Sequence, residues 1–192
     1  MRNPEALDYR QAAVVVIDAQ AKLVPLVMDS GPILANLQKL IRGAAILQVP
    51  VLATEQYPSG LGPTVPELAA ALIPATSQLT PPGIPSKLSF SCCGCETFLR
   101  QLAATGRTQV ILVGIETHVC VLQTALDLLG AGLRVYVAVD AVSARHRLDH
   151  EFALRRMETN GVTLTTVEST LFELCETADR PEFKPLAALI KN

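Results

Sequence analysis

The sequence predicts an α/β fold, with a mostly parallel central sheet and helices on both faces. Three observations carry this. Short apolar runs rich in β-branched residues recur along the chain, segments of helical spacing separate them, and Gly, Pro or polar clusters punctuate the boundaries. No repeat, linker or low-complexity stretch interrupts the alternation, so residues 1–192 read as a single domain with a sizeable core.

Each element follows from its own pattern. Ala12–Asp18 ("AAVVVID") is a strand apolar enough to be buried on both faces. Ile33–Leu47 has helical spacing at Ile33, Leu37, Leu40, Ile41 and Ala44, and Pro50 leads into a second strand, "VLATE". Gln56–Pro85 is rich in Pro and Gly and reads as long functional loops with room for one short helix. A helix around Cys95–Thr105 precedes strand Gln109–Val113, and "THVCVLQTALDLL" continues as a helix to about Leu129. "GAGLRVYVAVDA" is a helix end followed by a strand. A charged helix near Asp149–Asn160, a strand at Val162–Thr166 and two short helical segments flanking Pro181 complete the chain.

Composition excludes several functions. A formal net charge of -2 argues against a nucleic-acid surface or a basic membrane patch. No window approaches the roughly 20 apolar residues of a membrane span. Glu5 and Asp8 precede the first apolar run, which does not read as a signal peptide. The five cysteines are an odd number, and free thiols in a reducing cytoplasm are the expectation. Apolar residues make up 49% of the chain, which points to a sheet buried on both faces or to association into a homo-oligomer. "DAQAKLV" after the first strand has no glycine, so neither GxGxxG nor GxxxxGK marks a nucleotide or flavin site.

Ligands of such folds bind beyond the carboxyl ends of the strands. Asp18 ends the first strand, Cys120 follows the Gln109–Val113 strand at a helix start, and Lys87 lies in the loop region that must close over the same rim. The chemistry of the three is coherent. A thiol with an ordinary pKa of about 8.5 ionises more readily near a helix N-terminus and an ammonium. A carboxylate can take its proton and later deliver it to a leaving amine. Free N–H groups at the helix start can face a tetrahedral oxyanion. Each residue also has a structural reading: a buried Cys, a loop-capping Asp, a solvated Lys.

Taken in order, "VVVIDAQ", "PSKLSFS" and "VGIETHVCV" resemble the isochorismatase-like cysteine hydrolase family, over nearly the whole chain. "TEQYPSGLGPTVPEL" resembles the subgroup of isochorismatase domain-containing proteins. The resemblance implies a three-layer Rossmann-like fold and hydrolysis of a small amide, ureide or related C–N bond. Cys120 would be the nucleophile, Asp18 the base and acid, and Lys87 the activating cation. It also implies a non-proline cis peptide at Ile115–Glu116, aiming the Glu116 and Cys120 amides at the oxyanion. Isochorismatases proper lack the cysteine, so Cys120 argues against isochorismate as substrate. The alternative from another class is a non-enzymatic small-molecule binding or scaffold protein with a redox-sensitive Cys120.

No cofactor and no metal site are expected. Metal-dependent nicotinamidases place an Asp and two His between the catalytic Asp and Lys, whereas His118, His146 and His150 all follow Lys87 here. Cys92, Cys93 and Cys95 lack the spacing of a zinc knuckle and a matching second pair. His118 is expected in the substrate pocket or an interface, Phe90 as a pocket wall, and Asp140 as a brace for a neighbouring loop.

Overall fold

A computed structural model describes residue 3 and residues 6–191; Glu5 lies outside the described residues. Among these residues the strands are β1 (Ala12–Ile17), β2 (Val51–Gln56), β3 (Ser86–Lys87), β4 (Gln109–Ile115), β5 (Arg134–Ser143) and β6 (Thr163–Thr165). They form one sheet in the order β3-β2-β1-β4-β5-β6, and every pairing is parallel. The helices are α1 (Ser30–Ile46), α2 (Pro58–Leu61), α3 (Pro66–Ser77), α4 (Glu96–Thr105), α5 (Leu122–Gly130), α6 (Arg147–Thr159), α7 (Val167–Cys175) and α8 (Phe183–Lys191).

The alternation of β1 shows how the layers form. Successive strand residues point to opposite faces. Ala12, Val14 and Val16 join a core with Leu37 and Leu40 of α1, Leu72 of α3, Leu171 of α7 and Leu186 of α8. Ala13, Val15 and Ile17 join a second core with Phe98 of α4, Leu128 of α5 and Met157 of α6. All six β1 residues are buried, which explains the unbroken apolar run. Burial of each large side chain here contributes about 1.5–3 kcal/mol before conformational entropy is charged against it.

The chain moves from β1 outward to β2 and β3, then crosses back to place β4 on the other side of β1. In sheets of this kind ligands bind at such a reversal, beyond the carboxyl ends of the strands that flank it, here β1 and β4. Gly114 allows the two strands to meet there. Its φ is 111°, and a Cβ on it would lie 2.1 Å from the Ile17 carbonyl oxygen. Only glycine fits both constraints.

Three sequence expectations need correcting. The Pro/Gly-rich span is not mostly loop: it holds the 12-residue α3 and the short α2. Pro58 and Pro66 sit at first helical positions, where no N–H is required, so these prolines start helices rather than break them. Lys87 belongs to an edge strand paired with Gln56, not to a loop. β5 continues past Asp140 to Ser143 after a register shift opposite Leu112 and Gly114. Asp140 does brace its surroundings: its carboxylate accepts the Val167 N–H at the start of α7, 2.9 Å away.

Candidate active site

The residues that end β1, β2, β3 and β4 converge. Asp18 follows β1 in the left-handed conformation, φ 50°, which Asp tolerates better than most side chains. Its N–H donates to the Thr54 carbonyl at 3.1 Å, fixing the turn to β2. The carboxylate is fully buried and both oxygens are engaged. Oδ1 accepts from the Thr54 hydroxyl at 2.8 Å, and Oδ2 from Lys87 Nζ at 2.7 Å.

Lys87 also has a fully buried side chain. Its ammonium donates to Asp18 Oδ2, to Gln56 Oε1 at 2.7 Å and to the Phe90 carbonyl at 2.9 Å, with the Ser89 carbonyl at 3.3 Å. Those acceptors suit an ion with three protons. Burial acts to lower the Lys87 pKa, but the negative charges of Asp18 and the neighbouring thiols outweigh it, and the net direction is upward. Lys87 is therefore an ammonium, and Asp18 faces a permanent cation.

Cys120 lies in a single wide turn, Thr117–Val121, between β4 and α5. Its thiol is buried, close enough to Asp18 and Lys87 for both charges to act on it. Burial first, then the Asp18 charge, push the thiol's pKa strongly upward, against a smaller opposing effect of Lys87. This differs from the expectation of a thiolate favoured by a helix start and an ammonium: the surroundings of Cys120 favour the protonated thiol. The Ile115–Glu116 peptide that leads into this turn is cis. Glu116 Oε2 accepts from the backbone N–H and Nε of Arg145, at 3.1 and 3.0 Å, which anchors its side chain.

The two remaining site expectations fare differently. Phe90 exposes 53% of its surface beside the Lys87 strand, next to exposed Tyr57 and Leu88. Its carbonyl, not its ring, touches the buried charges. His118 Nε2 lies 4.0 Å from Asp149 Oδ2 on α6, and among the described residues no hydrogen bond joins it to Cys120. Of the cysteine cluster, Cys92 is fully buried with Sγ 3.5 Å from Thr54 Oγ1, and Cys95 Sγ donates to the Ser86 carbonyl at 3.7 Å. Among the described residues no three His, Cys, Asp or Glu side chains are placed to share a metal ion.

Sequence reasoning missed Thr54, Gln56 and Gln20. The rim rule that singled out Asp18 applies equally to the end of β2, which carries Thr54 and Gln56. Gln20 is fully buried, and its amide locks the loop over the rim by accepting from Gln56 N at 2.7 Å and donating to Gly62 O at 2.6 Å.

The fold and the rim residues define an α/β protein with a buried carboxylate–ammonium pair beside a thiol, on a hydrolase scaffold. The isochorismatase domain model matches residues 12–169, and the chain belongs to that family. It is 39% identical over 178 residues to isochorismatase domain-containing protein 1 of Danio rerio, covering 91% of this chain but 59% of that protein's length. Among solved structures, one described as MAR1 ribonuclease from Caenorhabditis elegans shares 40% identity at a TM-score of 0.87, covering 97% of this chain and 93% of that one. The Escherichia coli YcaC product, described as an octameric hydrolase of unknown specificity, shares 29% identity at a TM-score of 0.87, covering 98% and 92%.

Proposed function

We propose that the protein is a cysteine hydrolase of a small amide, ureide or related C–N bond. The observation that carries this is the buried Cys120 thiol beside the Asp18 carboxylate, which holds the Lys87 ammonium at 2.7 Å. A buried ion pair costs desolvation that hydrophobic packing would avoid, so its place at the strand ends calls for a chemical use.

In this reading Asp18 takes the thiol proton as sulfur attacks the substrate carbonyl carbon. The Glu116 and Cys120 amides receive the oxyanion. Asp18 then protonates the leaving nitrogen as the C–N bond breaks, leaving a thioester on Cys120. A water molecule, deprotonated by Asp18, releases the acid and restores the thiol. Lys87 holds the Asp18 carboxylate in place through its 2.7 Å hydrogen bond and needs no proton change of its own. No metal enters the scheme, and His118 and Phe90 contribute walls or contacts rather than chemistry.

Exposed Tyr57, Leu88 and Phe90 beside the site favour a homo-oligomer in which a neighbouring copy covers this apolar rim. No helix of the described residues is long and apolar enough to cross a membrane. The relative described as a ribonuclease makes RNA a second substrate to test, although a net charge of -2 offers no field to gather phosphates.

The deciding experiment is ammonia release from a panel of small amides and ureides, with RNA cleavage assayed alongside and Cys120→Ala as the control. Turnover of an amide or ureide that vanishes in Cys120→Ala supports the reading. RNA cleavage that survives Cys120→Ala, with no amide or ureide turned over, overturns it.

A further inference from the structure

Two buried residues that the scheme above does not use, Thr54 and Cys92, connect to the base. Thr54 Oγ1 donates to Asp18 Oδ1 at 2.8 Å and lies 3.5 Å from Cys92 Sγ. A carboxylate can only accept, and a threonine hydroxyl has one proton. That proton is spent on Asp18. The Thr54–Cys92 contact must therefore run from S–H to Oγ1, and the chain of donors has a fixed direction: Cys92 to Thr54 to Asp18.

The far end of the chain is tied down as well. The Cys92 N–H donates to the Thr124 hydroxyl at 2.9 Å. Thr124 stands on α5, the helix that follows the Cys120 turn. Burial pushes the Cys92 thiol up to about 11, in keeping with a thiol that must stay protonated to donate.

From this geometry we infer that Thr54 and Cys92 are positioning residues, an ordered relay that pins Asp18 Oδ1 and leaves the carboxylate facing the Cys120 thiol. The inference rests on the cysteine-hydrolase reading. Without the Thr54 proton, Oδ1 is buried and unpartnered, and the carboxylate can rotate to set both oxygens on the Lys87 ammonium. The thiol would then lose its acceptor. The two thiols thus divide their labour by direction of donation. Cys120 gives its proton up during reaction, and Cys92 keeps its own.

Alkylation of the purified full-length protein by iodoacetamide at neutral pH tests this without a known substrate, with labelled sites mapped by mass spectrometry. In the wild type, Cys120 labels and Cys92 does not. Thr54→Val, which keeps shape but loses the hydroxyl, slows Cys120 labelling about tenfold, the scale of one hydrogen bond to an ionised group. Thr54→Ser restores the rate to within about threefold. Cys92→Ala slows labelling by a smaller factor and Cys92→Ser recovers it, which decides the matter should Thr54→Val fail to fold.

Wild-type labelling rates in both folded Thr54→Val and Cys92→Ala overturn the relay, as does Thr54→Ser labelling as slowly as Thr54→Val. Asp18→Asn separates the two levels. If Asp18→Asn labels Cys120 at the wild-type rate, Asp18 does not activate the thiol and the hydrolase reading falls. If Asp18→Asn is slow while Thr54→Val is fast, only the relay falls.

Discussion

The two rims of the sheet bury polar groups in opposite ways. At the amino rim, Gln109 is buried and wholly occupied with neutral partners. Its Oε1 accepts Asp8 N at 2.8 Å, and its Nε2 donates to Ala6 O at 2.9 Å and Tyr136 Oη at 3.3 Å. A cleft of about 500 Å³ opens at the same end of the molecule, between Gln48, Val49, Gln78, Thr80, Gln101 and Thr105, with no charged side chain in its lining. At the carboxyl rim the buried groups are a carboxylate, an ammonium and a thiol. Empty volume and chemistry lie at opposite ends. The buried charge, not the hollow at the amino rim, marks the candidate site, because charge costs far more to bury than amides that keep their hydrogen bonds.

Four experiments would break or sharpen that contrast. The largest effect belongs to the thiol. Cys120→Ala should remove amide hydrolysis to background while the fold persists, and Asp18→Asn should lower kcat about a thousandfold, within the usual range of acid–base effects. Retained turnover in Cys120→Ala with normal circular dichroism would move the chemistry elsewhere.

Next comes the seam between β1 and β4. Gly114→Ala places a Cβ against the Ile17 backbone and forces a strained φ, so a loss of about 4 kcal/mol or failure to fold is expected from urea titration. A variant as stable as the wild type would show that the strands can part without penalty.

The third is alkaline stability. Cys92 and Cys120, like Lys87, have pKa values raised in the folded state. The native state therefore holds protons that the unfolded chain releases above about pH 9, and stability is full below that value and falls as pH rises further. Urea midpoints at pH 8 and pH 11 should differ, and Cys92→Ala should flatten the decline by about 2–3 kcal/mol. An unchanged slope in Cys92→Ala would remove Cys92 from the account.

The smallest effect is at the amino rim. Gln109→Leu should cost about 1–2 kcal/mol through lost neutral hydrogen bonds, with Cys120 labelling unchanged. Slower labelling in that variant would mean the two rims are coupled, and the contrast would fail.

Much of this was legible in the sequence, for identifiable reasons. β1 and β4 are doubly buried, so their runs are apolar without alternation and their ends are sharp. Asp18 and Cys120 stand just past those ends, and the rim rule finds them. Lys87 was found by motif, but its strand was not, because a two-residue edge strand leaves no periodicity to read. α3 was hidden by composition: Pro66 opens it and Pro74 lies inside it, and proline content alone suggests loop. Thr54 escaped notice, and Cys92 was weighed only as a metal ligand, because side-chain hydrogen-bond direction has no signature along a chain.

The parallel order of the strands also sets a timetable. Asp18 and Lys87 are 69 residues apart, and Cys120 lies farther along still, so the three meet only through long-range strand pairing, the slow part of building a sheet. A chain emerging from the ribosome presents the carboxylate first, the lysine next and the thiol last. Until β4 docks beside β1, that thiol has no carboxylate beside it and behaves as any free cysteine. The polypeptide thus carries an ordinary thiol through synthesis, and the same closure that completes the core buries it beside the carboxylate.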